Sequence, residues 1–241
     1  MGQTPSGPVI ITQTEKADIV CEIFSQGVVH ASQRLRDYLG FEDPFGNLRP
    51  CTDTLTDIFL VNFITFCVEK GVSERIATSK MTKQQAVLFG VDWIWTLMGP
   101  DKSVRLQIAV QALQMCDFEG GGRGDPEAFY HRAFKEVQLT DTCRKSRSLY
   151  EKLEEFCRLV GPDCLGLFMV FGLPGKPKDI RGILLDSVNK ENKKNGQEGE
   201  RALQQFILDT DNFLPTRDLL ETCMSKRNGL RSIGKVYINF L

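Results

Sequence analysis

The apolar residues of this chain recur at helical spacing almost from end to end. Residues three or four apart share one face of a helix, whereas a half-buried strand alternates with a period of two. Thr14 to Leu39 reads as a first helix, with Ile19, Val20, Ile23 and Phe24 as its apolar cluster, a weak point at Gln26-Gly27, and Gly40 beyond its end. Thr54 to Lys70 follows, with Leu55, Ile58, Phe59, Phe63 and Phe66 on one side and Gly71 as its stop. Ser73 caps a short turn through Ile76. Thr82 and Gln85 form a capping box that opens a helix over 83–98, ended by Gly99-Pro100. Val104 to Met115 is a further apolar helix. More are expected at about 126–138, 141–160, 162–172, 178–190, 199–210 and 215–226, with a last one near 230–240. Val9-Ile10-Ile11 is a run that could instead extend. The pattern predicts an all-α fold.

Glu119 to Pro126 (EGGGRGDP) divides the chain, and a Gly-rich joint at 120–125 suits a boundary between lobes. The expected organisation is an N-terminal arm over 1–22, an N-lobe over 23–119 and a C-lobe over 126–241. The arm's cluster needs an apolar partner, either a neighbouring copy or the chain's own core. Ile19, Val20 and Ile23 are therefore the candidate oligomerisation residues.

Several classes are excluded. Hydrophobic residues at 41% and charged residues at 25% describe a globular chain. The longest apolar run, Ile58 to Val68, is too short to span a bilayer and contains Asn62. The eight cysteines form no CxxC pair, and His30 and His131 are the only histidines, which argues for reduced thiols in a cytosolic setting and against zinc. Phosphate-loop, dinucleotide, nucleophile-elbow and HExxH signatures are all missing, so a non-enzyme without cofactor is expected.

Charge is uneven. Residues 1–69 carry 4 basic and 9 acidic side chains, and residues 70–150 carry 12 and 9. Within the second segment, Lys70, Arg75, Lys80 and Lys83 flank a helix junction beside the capping residues Ser73 and Thr82. Free N–H groups at helix starts and adjacent cations favour phosphate oxygens.

Lys70-Gly71, Arg75 and Lys80-Met81-Thr82 resemble the N-lobe pattern of phenuivirus nucleoproteins, those of the phlebovirus-type segmented negative-strand RNA viruses. Phe24-Ser25-Gln26-Gly27, Arg36 to Gly40 and Ser103-Val104-Arg105 are similar to flanking segments of that family. The resemblance implies a two-lobed helical protein that coats single-stranded RNA in a basic groove, without sequence readout, and forms rings or filaments through its arm. It implies a place in the virion and the host cytoplasm, with the viral polymerase as a further partner. Lys70, Arg75, Lys80 and Arg105 stand where the family places RNA-contacting cations, and Lys83 lies in the same stretch. Ser73 departs from a position that is often lysine. Phe24 is a candidate for base stacking, because Ser25 stands where an aromatic residue can serve. Lys176, Lys178 and Arg181 are the candidate C-lobe cations. Trp93 and Trp95 read as core.

Met1-Gly2-Gln3-Thr4-Pro5-Ser6 fits the loose N-myristoylation pattern and carries the alternative, a helical matrix or adaptor scaffold acylated at Gly2.

Overall fold

A strand covered on both faces is apolar at every position, and its alternation vanishes. Cys164–Leu173 (CLGLFMVFGL) is such a strand, buried throughout. A computed structural model describes residues 13–48, 50–114, 149–173, 175–188, 214–225 and 237–239. It overturns the all-α expectation: residues 104–114 and 164–173 are strands, as is the second half of 83–98, and the helix expected at 178–190 begins instead as a strand, Lys176–Leu184.

The elements run α1 (Gln13–Leu35), α2 (Thr52–Glu69), β1 (Ile76–Lys80), α3 (Lys83–Phe89), β2 (Trp93–Met98), β3 (Val104–Gln114), α4 (Leu149–Val160), β4 (Cys164–Leu173), β5 (Lys176–Leu184), α5 (Thr216–Ser225) and β6 (Tyr237–Asn239). The strands form one six-stranded sheet in sequence order. All neighbours are antiparallel except β3 and β4, which run parallel. The proposed joint at 120–125 lies outside the described residues, as do the expected helices at 126–138 and 199–210. The chain on either side of the joint meets in the sheet, where Gln107 to Gln114 pair with Cys164 to Phe171.

One face of the sheet presents Trp93, Trp95, Leu97, Leu106, Ile108, Leu167, Met169 and Phe171 to α1, α2 and α5. The other face presents Ala109, Phe168, Val170 and Ile183 to Tyr150 and Leu153 of α4, with Phe89 of α3 beside them. The helices on the first face are packed closely. At Gly27 a Cβ would stand 3.2 Å from ring atoms of Phe63 and Phe66, so α1 continues through the expected weak point and uses it to approach α2. Arg217 of α5 reaches Glu22 of α1 at 2.6 Å and Glu221 at 2.5 Å.

Gly166 sits inside β4 where a side chain has no room. A Cβ there would lie 2.9 Å from both Cβ and Cδ2 of Leu185 and 3.3 Å from Cys157 Sγ. The Leu185 Cβ is fixed to its backbone and cannot swing aside. Gly166→Ala is expected to cost about 2 kcal/mol through overpacking. Urea unfolding measures it, and an unchanged midpoint would mean that β4 and the segment after β5 separate more easily than this packing implies.

The α2–β1–α3 corner as candidate functional site

Residues 70–83 link α2, β1 and α3 into one corner. Lys70 caps α2, Gly71 at φ +70° turns the chain, and the Val72 N–H donates to the Cys67 carbonyl at 3.1 Å. That tight return sends β1 back along α2. Thr82 then starts α3 with the expected capping box, its hydroxyl accepting from the Gln85 N–H. The helix ends early at Gly90, whose φ of +65° forms a left-handed cap.

The predicted RNA-binding residues do not converge. Lys80 forms an ion pair with Asp57, and Lys83 Nζ lies 3.5 Å from Asp53 Oδ2, so α2 supplies a carboxylate for each. Arg105 pairs with Asp101 at 3.1 Å on the loop between β2 and β3. Arg75 turns inward: its Nε donates to the Met98 carbonyl at 2.8 Å, and its Nη2 is buried without a hydrogen-bond partner. Lys70 Nζ sits 5.4 Å over the Phe66 ring. Phe24 is buried, packed edge-on against Phe63 and Trp95 with centroids 5.2 and 5.0 Å away, so no base can reach it. Of the C-lobe candidates, Arg181 is buried beside Asp179 at 3.1 Å, while Lys176 and Lys178 are exposed at the start of β5. A groove lined by unmatched cations is not what this arrangement makes.

The arm cluster divides in the same way. Val20 is buried within its own chain and Ile23 packs on the same core, while Ile19 is exposed. Residues 1–12, with Gly2 and Val9-Ile10-Ile11, lie outside the described residues. Both tryptophans are buried core residues, carried by a strand instead of a helix.

What sequence reasoning missed is the outward line of α2. Asp53, Asp57, Val61, Ile64 and Val68 follow one another at spacings of four, four, three and four, which places them on one side of the helix. Val61, Ile64 and Val68 are exposed at 63%, 41% and 56%. The ion pair between Asp57 and Lys80 fixes this line on the side of α2 that faces β1. The signal was present: α2 carries large apolar residues on the side opposite Leu55, Phe59 and Phe63, more than one buried face requires.

Beneath the corner, Asp92 precedes β2. Its Oδ2 accepts the Ala112 N–H at 2.6 Å and the Gln111 Nε2 at 2.9 Å. Burial pushes this carboxyl up to about 6, partly opposed by the Ala112 N–H and by Lys80, with Asp53 raising it slightly. The pocket between α1, α5 and the sheet holds only about 10 Å³ and is lined by apolar side chains and Thr216, so it admits no ligand larger than about one water. Among the described residues no cluster of His, Cys, Asp and Glu has the makings of a metal site, and no helix is long and apolar enough to cross a membrane.

Comparison with known proteins decides between the readings. The profile of the family described as Rab15 effector matches residues 8–240. A protein of Mus musculus described as "Rab15 effector protein" is 45% identical over 241 residues, covering 100% of both chains. These matches overturn the likeness to phenuivirus nucleoproteins, and with it the RNA coat, the viral polymerase and the virion. They equally leave the acylated matrix scaffold without support. By its end-to-end match to both, the chain belongs to the Rab15 effector family.

Proposed function

We propose that this chain is a Rab effector, a non-enzymatic protein that binds a Rab GTPase, Rab15 first among them, in its GTP-loaded state. The observation that carries the reading is the identity of 45% along the whole length of a protein so described. The surface that fits it best is the α2 line. Three large apolar side chains stand in water on a helix whose opposite side is core, and such a patch has a burial energy still to be realised. The neighbouring carboxylates are already matched by Lys80 and Lys83, so the corner offers apolar area without a strong net field.

The test is titration calorimetry of the full chain with Rab15 loaded with a non-hydrolysable GTP analogue or with GDP. The GTP form is expected to bind at least tenfold more tightly. Val61→Asp combined with Ile64→Asp is expected to weaken that binding at least tenfold, about 1.4 kcal/mol. Its unfolding midpoint should stay close to wild type, because both side chains are exposed. Equal affinity for the two nucleotide states, or none for either, would overturn the effector reading.

A further inference from the structure

We infer that the open edge of β1 receives an extended strand of the GTPase, which joins the sheet beside the α2 line; this rests on the effector reading above. β1 is the first strand of the sheet order, and among the described residues no strand lies on its far side. The hydrogen-bond register shows which backbone groups point that way. The Met98 N–H donates to the Arg75 carbonyl and the Met81 N–H to the Asp92 carbonyl, each at 2.8 Å. In an antiparallel pair the direction alternates residue by residue, so Ala77 and Ser79 also face β2. Ile76, Thr78 and Lys80 face away from it. The Ile76 N–H is already used, donating to the Val72 carbonyl at 3.0 Å. The N–H and carbonyl of Thr78 and the N–H of Lys80 remain aimed outward.

Donors and acceptors repeating every second residue are matched by one kind of partner, an extended backbone. The α2 line adds a condition on that strand's side chains. Val61, Ile64 and Val68 face the β1 side of the helix, so alternate residues of the incoming strand meet apolar surface and should be apolar themselves. Strand pairing provides the attachment and the α2 line selects the sequence.

Amide exchange by NMR on the full chain, alone and with Rab15 carrying the GTP analogue, tests this directly. The Thr78 and Lys80 amides should exchange rapidly in the free chain and at least tenfold more slowly in the complex. The Ala77 and Ser79 amides should be protected in both. Thr78→Pro removes an outward N–H and leaves the ladder to β2 whole, as edge positions permit. It should weaken binding at least tenfold with the fold retained. A complex in which the Thr78 and Lys80 amides exchange as before, or Thr78→Pro binding like wild type, overturns the strand model while the effector reading stands. Slowing of those amides in the chain alone, with a dimeric mass by sedimentation, assigns the edge to a second copy and overturns it too. If Thr78→Pro fails to fold, exchange in the unmodified chain decides.

Discussion

Trp95→Ala is expected to cost about 4 kcal/mol, the upper part of the range for deleting a buried aromatic side chain. Trp95 is almost wholly buried, and its ring lies 5.0 Å from Phe24, 5.1 Å from Phe63, 5.4 Å from Trp93 and 6.1 Å from Phe59. Those rings come from α1, α2 and β2, so the indole is where three elements share one contact. Removing it leaves a void that rigid aromatic neighbours cannot close. The cost is a large share of a domain's usual stability, about 5–15 kcal/mol. Trp95→Phe supplies the control. The buried Trp95 Nε1 has no hydrogen-bond partner, so phenylalanine loses ring volume but also removes an unsatisfied donor. Its cost should stay under about 1.5 kcal/mol, within reach of the large aromatic residues around it. Urea unfolding followed by circular dichroism measures both. Equal losses for the two variants would mean that phenylalanine recovers none of the packing, so that the aromatic contacts at this position depend on the full indole.

The helices were legible because each carries a local signal. α2 ends where Gly71 stops it, α3 begins at the Thr82–Gln85 capping box, and α5 lies within the expected 215–226 segment. The strands were misread for a physical reason. β4 is covered on both faces and β3 nearly so, which erases the alternation that marks a strand and leaves an apolar run that also suits a helix. β2 did alternate, with Trp93, Trp95 and Leu97 buried and the residues between them less so, and its β-branched and aromatic content pointed to a strand. The capping box upstream drew it into a helix that in fact closes at Gly90. The corner was legible as a place but not as a chemistry. Sequence spacing puts Lys80 and Lys83 near one another, yet only the fold lays Asp57 and Asp53 of α2 against them. A count of cations along the chain cannot see the carboxylates that neutralise them across it.

Asp92→Asn is expected to stabilise the protein near neutral pH and to lose much of that advantage in acid. The carboxyl is raised from 3.8 to about 6, chiefly by burial. A group whose folded pKa lies above its unfolded value holds its proton more tightly in the native state, so stability falls as pH rises from about 4 to about 6. Above that window both states are ionised and the full penalty is present, about 3 kcal/mol at 1.36 kcal/mol per unit. Asparagine carries no charge and keeps an oxygen for the Ala112 N–H and the Gln111 Nε2, the two donors that Asp92 now holds. Those bonds are weaker to a neutral acceptor, which offsets part of the gain. The net stabilisation should be about 1–2 kcal/mol at pH 7.5, and it should shrink by about 2 kcal/mol at pH 4.5, where the native aspartic acid is already protonated. Urea unfolding of both proteins at the two pH values isolates the effect, because every other titrating group is common to them. A difference between the two proteins that does not change with pH would show that Asp92 keeps an ordinary carboxylate's affinity for its proton. The same residue ties the start of β2 to β3, and its carbonyl accepts the Met81 N–H at the end of β1. Asp92 thus joins the start of β2 to Gln111 and Ala112 of β3, two strands in from the β1 edge, through a buried carboxylate whose ionisation opposes folding.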